Sequence, residues 1–302
     1  MANSRSIWFL LPRWCYRLFS SLYRDEETTL GPIREFAKMA CEDAQPQSPL
    51  SRLCESGGPY SYDNSSSKRF NKNLLYEATT ILFAGQDTSA ATLSWTLHLL
   101  SLYPNVQERL AKEVRDVLNA DDNYARTGEH IVTRKMISKL PYLDAVIKES
   151  MRLYPVAPFV VRRLQENICI PSENNDGTIS LPAGSTALIW IYSLHRNLEF
   201  WDCPDDFIPE RWIDINLKDV GQSNGAYMPF ASGPRNCLGQ PIAYIVIRTI
   251  LAKLVYQYKF ADVRSRTEDD AKDLRIEMEA GFTVLPTGGV TLEILNRKAK
   301  MN

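Results

Sequence analysis

The stretch Phe230-Ala231-Ser232-Gly233-Pro234-Arg235-Asn236-Cys237-Leu238-Gly239-Gln240 sets one cysteine between an arginine two residues before it and a glycine two residues after it. Each residue type has a task if Cys237 ligates iron. Glycines let the backbone turn tightly and approach a flat ligand at φ values that other residues avoid. A helix starting just after the cysteine aims the amides of Leu238 and Gly239 at the sulfur, which favours the thiolate. Arg235 supplies a fixed positive charge for an acidic group on the ligand.

Together Phe230, Gly233, Arg235, Cys237 and Gly239 fill every fixed position of the pattern F-x-x-G-x-R-x-C-x-G. The loop resembles the haem-binding loop of the cytochrome P450 family. That resemblance implies haem b held through an axial thiolate from Cys237, the metal ligand, with Phe230, Gly233, Arg235 and Gly239 as cofactor-binding residues.

Composition allows this and narrows the alternatives. The 302 residues are 44% hydrophobic and 24% charged, with a net charge of −1, so no global field draws the chain to nucleic acid. Cysteines at 15, 41, 54, 169, 203 and 237 form no C-x-x-C pair, which argues against a disulfide framework and a zinc site. His98, His130 and His195 are too scattered to build a metal site. The N-terminal apolar run Ile7 to Leu11 is too short for a membrane span and is followed by Pro12. Met1 to Arg24 carries Arg5, Arg13, Arg17 and Arg24 without an acidic residue, a composition shared by transit peptides and by amphipathic helices.

Upstream of the loop, residues 1 to 44 read as amphipathic helix and Gln45 to Arg69 as a polar, turn-rich linker. A long helix is expected from Asn71 to Tyr103, ended by Pro104 and spanning on the order of 50 Å. In its middle stands Ala84-Gly85-Gln86-Asp87-Thr88-Ser89, where a glycine and a threonine weaken the helix. The Thr88 hydroxyl can bond the carbonyl of Ala84 and widen the helix locally. This segment resembles the oxygen-binding motif of the same family. The resemblance implies that Asp87 and Thr88 are the catalytic residues, holding bound O2 and delivering its protons.

Further helices are expected from Asn105 to Leu118, with Glu108/Lys112-type pairs, from Pro141 to Leu153, and from Leu238 to Lys253, with Ile242, Ile245, Val246, Ile250 and Leu254 on its apolar side. Glu149-Ser150-Met151-Arg152 sets a carboxylate and a guanidinium on one helix face. With Arg211 of Pro209-Glu210-Arg211-Trp212 it resembles the family's E-x-x-R and P-E-R pairing, which implies a structural triad of Glu149, Arg152 and Arg211. Between them, short β-prone runs at Phe159–Arg163, Cys169–Ile170, Thr178–Leu181 and Thr186–Ile191 predict a small antiparallel sheet. Arg162 stands seven residues after Pro155, where the resemblance implies an arginine on a haem propionate. Phe282–Leu285 and Val290–Leu295, joined by Pro286-Thr287-Gly288-Gly289, predict a terminal hairpin, and the resemblance implies that it borders the substrate pocket.

The expected fold is mainly α with a small antiparallel β component, a partial cytochrome P450 fold. Residues 1–70 form a partial helical segment and linker, and residues 71–302 the C-terminal haem-binding core. Upstream of residue 71 no W-x-x-x-R pattern matches the family's second propionate clamp, since Trp8 is followed four residues on by Pro12 and Trp14 by Leu18. The resemblance therefore implies that an N-terminal part of the family fold, with its membrane anchor, is missing. Two functional classes remain open. One is a monooxygenase that inserts one oxygen atom from O2 into a small lipophilic substrate of fatty-acid type. Its electrons come from an NADPH-cytochrome P450 reductase or a ferredoxin-type donor, at the endoplasmic reticulum surface or in an organelle. The other is a truncated, non-catalytic remnant that binds haem weakly or not at all.

Overall fold

The computed structural model describes Glu35 and Met39 singly and residues 72–120, 132–171, 177–213, 225–263, 276–280 and 283–297. Apart from Glu35 and Met39, the amphipathic helical stretch expected over residues 1 to 44 and the linker after it lie outside the described residues, as does Phe282. The chain divides into two compact units, Met1–Gln86 and Asp87–Asn302.

Helix α1, Lys72–Leu102, runs 31 residues and carries the weakening segment Ala84–Ser89 in its middle. Beyond Ser89 it is buried, with Trp95, Leu99 and Leu100 in the core. Tyr103 breaks the helix because the residue before a proline is pushed out of the α region; its φ and ψ are −120° and 76°. Pro104 then opens α2, Pro104–Asn119, at the position where a missing N–H costs nothing. The same device recurs at Leu140 and Pro141, which open α4, Pro141–Leu153, after the short α3, Arg134–Ile137. No side chain of its own caps α4. Instead Glu113 of α2 accepts from the amides of Tyr142 (2.8 Å) and Leu143 (3.0 Å), so one helix caps the next. Burial raises the Glu113 carboxyl above its usual range.

Four two-stranded antiparallel ladders follow among the described residues, rather than the single small sheet expected. Strand β1, Val160–Arg163, pairs with β4, Thr186–Ile189, and β2, Ile168–Pro171, with β3, Thr178–Leu181. After the short α5, Ile191–Leu194, and a 3-10 turn at Pro209–Trp212 comes α6, Gln240–Gln257. Strand β5, Tyr258–Asp262, pairs with β8, Leu292–Asn296, and β6, Met278–Ala280, with β7, Val284–Pro286. The expected terminal hairpin is thus not formed: β7 and β8 are neighbours in sequence but each pairs with an earlier strand. The turn between them is real, with Gly288 and Gly289 at φ of 73° and 79°. Local turn chemistry marks where the chain bends and not which strand it meets.

The face of α6 also differs from expectation. Ile247, Leu251, Ala252 and Val255 enter the core, while Ile242, Ile245, Val246 and Ile250 stay exposed. This helix is apolar on both sides, so a 3.6-residue period fits either face. Glu108 does not pair with Lys112: it takes Arg297 at 2.6 Å, and Lys112 turns to Asp116 at 2.7 Å. The long-range partner comes from the end of β8, which no local spacing announces.

One buried amide joins these parts. Gln107 of α2 donates to the carbonyls of Leu100 (2.7 Å) and Phe260 (2.9 Å) and accepts from the Phe260 amide (2.8 Å). It is fully buried, so these groups have no water to turn to. Gln107→Leu strips three buried backbone groups of a partner and is expected to cost about 3 kcal/mol. Urea unfolding of the variant chain checks this; a loss under about 1 kcal/mol contradicts it.

Candidate functional site

Cys237 lies in a loop closed by its own backbone. Its amide donates to the carbonyl of Phe230 at 3.0 Å, and the Asn236 amide to Gly233 at 3.0 Å. Two residues take left-handed backbone conformations to make that closure, Gly233 at φ 82° and Ala231 at φ 59°. Gly233 is there because its conformation demands it. Gly239 is not, since its φ is −80°. A Cβ at Gly239 would meet one neighbour within 4 Å, the Cys237 sulfur at 3.9 Å. That is an ordinary van der Waals distance, so neither backbone conformation nor crowding within the chain demands a glycine at this position. Helix α6 begins at Gln240, two residues later than the sequence suggested, with the Gln240 amide reaching the Cys237 carbonyl at 3.4 Å. The thiol itself is exposed.

Behind the loop lies a buried ionic network. The Glu149 carboxylate accepts from Arg152 Nε (3.0 Å) and Nη2 (2.9 Å), Arg211 Nε (3.0 Å), the Ile208 amide (3.1 Å) and the Trp212 indole (2.8 Å). Arg152 spends its remaining donors on the carbonyls of His195, Pro204 and Asp206. Arg211 reaches the carbonyl of Asp202 at 3.1 Å. The structure thus brings Glu149, Arg152 and Arg211 together, each at most 2% exposed.

His195 links this network to the cysteine loop, a role no sequence pattern singled out. One ring nitrogen, Nδ1, lies 3.2 Å from the Arg152 carbonyl, and the other accepts from the Met228 amide at 3.0 Å. Those two partners require the neutral ring with its proton on Nδ1. Met228 in turn accepts from the amide of Ala231, one residue past Phe230. Arg162 of β1 also arrives at the loop, its guanidinium 3.4 Å from the Arg235 carbonyl. That contact joins the Arg162 side chain to the Arg235 backbone.

Beside the loop is a small recess of about 20 Å³ lined by Thr88, Ser89, Thr92, Met151, Val156, Pro229, Phe230, Ala243 and Ile247. Thr88, from the helix centre, and Phe230, from the cysteine loop, share this wall. The Thr88 carbonyl accepts from the Thr92 hydroxyl at 2.9 Å. Asp87 does not line the recess; its carboxylate accepts from the hydroxyl of Thr283 at 2.6 Å.

Fold and site define a class: a mainly helical protein with small antiparallel ladders that presents one cysteine loop opposite a threonine-bearing long helix. The chain belongs to the cytochrome P450 family, whose profile, described as Cytochrome P450, matches residues 2–287. The described architecture is a partial P450 fold. The match begins well upstream of residue 71, where the recognisable motifs begin. Among similar proteins, Cytochrome P450 4c3 of Drosophila melanogaster is 36% identical over 199 residues, 66% of this chain and 34% of that protein. Cytochrome P450 4V2 of Rattus norvegicus is 32% identical over 235 residues, 78% of this chain and 41% of that protein. Cytochrome P450 4F12 of Homo sapiens is 36% identical over 190 residues, 63% of this chain and 34% of that protein. The chain thus spans well under half the length of the curated relatives it matches.

Burial pushes the His195 imidazole down to about 3, from an ordinary value of 6.5. Its folded value lies below its unfolded one, so between these limits the unfolded chain binds the extra proton. Stability is expected to fall as pH drops through that window, by up to about 1.4 kcal/mol per pH unit from this residue. Urea titrations across the window should show that slope, and His195→Gln should flatten it. A wild-type slope that the variant fully retains contradicts the assignment.

Proposed function

We propose that this chain is the haem-thiolate core of a monooxygenase that inserts one atom of O2 into a small lipophilic substrate of fatty-acid type. The observation that carries this reading is the exposed Cys237 in its closed loop, whose first residue, Phe230, shares a recess with Thr88. The residues present suit haem. The single Cys237 sulfur is the kind of ligand that would hold a haem iron, whose macrocycle supplies its own nitrogens. Phe230, Ala243, Ile247, Met151 and Val156 give the neighbouring recess an apolar lining. Arg235 of the loop, and Arg162 whose side chain reaches the loop's backbone, match the ring's carboxylates in charge.

When bound, the haem iron supplies O2 binding and O–O cleavage, which thiolate donation favours. The chain's own part is to hold and to shield. Cys237 would be the iron ligand, held in place by the hydrogen bond from its amide to the Phe230 carbonyl and by the Glu149, Arg152 and Arg211 scaffold through His195. Thr88 presents its side chain to the recess, and Asp87 beside it carries protons inward. Electrons come from outside, from an NADPH-cytochrome P450 reductase or a ferredoxin-type donor. The endoplasmic reticulum surface is the compartment proposed for this chemistry. No helix among the described residues is long and apolar enough to cross a membrane.

A second reading, a non-catalytic remnant, draws on the apolar stripe of α6, where Ile242 is 63% exposed. Haem content separates the two. The chain purified from cells supplied with a haem precursor is expected to carry haem, and Cys237→Ala to lose it. A haem-free wild-type chain favours the remnant; equal haem in both forms rejects Cys237 as the ligand. In the haem-loaded chain supplied with a reductase, Thr88→Ala is expected to raise the peroxide released per O2 consumed severalfold. An unchanged ratio contradicts the role given to Thr88.

A further inference from the structure

We propose that Thr283 is a positioning residue that fixes the Asp87 carboxylate beside Thr88. This rests on the functional reading above, in which Asp87 carries protons. The Thr283 hydroxyl donates to Asp87 Oδ2 at 2.6 Å, the length of a charge-assisted O–H···O bond. A carboxylate only accepts, so the hydroxyl proton is committed to Asp87.

The donor is held more firmly than the acceptor. Thr283 is 3% exposed, and both backbone groups of the next residue are tied down. The Val284 amide donates to Val156 at 2.9 Å, and the Val284 carbonyl accepts from the Trp95 indole at 3.0 Å. Trp95 is itself fully buried and stacked on Tyr154 at 4.0 Å. Strand β7 is thus fastened to α1 two turns beyond Asp87 and to the segment after α4. Val156, its other anchor, lines the recess. Asp87 is the partner with rotamers to lose, and Thr283 selects one of them.

That choice has a chemical consequence. With its carboxylate on Thr283, Asp87 stays out of the recess that its neighbour Thr88 lines. Freed from Thr283, the carboxylate rotates, and proton delivery loses its fixed route. A packing role alone would be met as well by valine, which has the shape of threonine without the hydroxyl.

Two measurements test this. The first is a double-mutant cycle of Thr283→Val and Asp87→Ala on urea unfolding of the chain, where a coupling of about tenfold in the unfolding constant is expected. Additive effects overturn the proposal. The second is peroxide released per O2 by the haem-loaded chain with a reductase. Thr283→Val is expected to raise it severalfold at unchanged haem content, and Thr283→Ser to restore it. If Asp87→Ala raises peroxide and Thr283→Val does not, the positioning role fails while the functional reading stands. If neither variant raises it, or the chain loads no haem, the functional reading fails; the proton-positioning role falls with it, and the cycle still decides whether the contact exists.

Discussion

The Glu149 carboxylate is fully buried and accepts five hydrogen bonds, from two arginines, an indole and a backbone amide. Much of the second unit depends on that arrangement. A buried ion pair is not in itself a large source of stability, because both charges lose their water. Its worth lies in what it specifies. Glu149 and Arg152 sit three residues apart on α4, but Arg211, Ile208 and Trp212 come from about sixty residues downstream. A chain in which any of them is displaced leaves a buried charge without a partner, and that penalty excludes other packings.

From this point order passes to the cysteine loop by backbone contacts. The Arg152 guanidinium grips the carbonyls of His195, Pro204 and Asp206, and its own carbonyl meets the His195 ring. The ring takes the Met228 amide, Met228 takes that of Ala231, and Phe230 takes that of Cys237. The ring must remain neutral for this relay, which its burial ensures. On the opposite side, Trp95 and Thr283 fasten β7 to the long helix that carries Asp87 and Thr88. The two walls of the recess are therefore anchored separately, one through ions and one through an indole and a hydroxyl.

Much of this was legible in the sequence, for physical reasons. Tyr103-Pro104 and Leu140-Pro141 mark helix boundaries because proline restricts its predecessor, and the expected bounds of α4 match the observed ones. The cysteine loop and the E-x-x-R pair are local patterns, readable within a dozen residues. Partners that meet across the fold were not readable. Gln107 with Phe260, Glu113 with α4, Thr283 with Asp87 and Arg297 with Glu108 are long-range pairs of ordinary residue types. The pairing of β7 and β8 and the buried face of α6 were misread for the same reason, since turn chemistry and an all-round apolar helix leave the partner undetermined. Nothing in the sequence neighbourhood of His195 marks its bond to Met228, 33 residues on.

The central claim is that Cys237, held by this scaffold, is an iron ligand in the chain as it stands. The most direct measurement is the carbon monoxide difference spectrum of the reduced, haem-supplied chain. The account predicts the red-shifted Soret band of a thiolate-ligated haem. A spectrum without haem, or one with the band of a nitrogen-ligated haem, contradicts it.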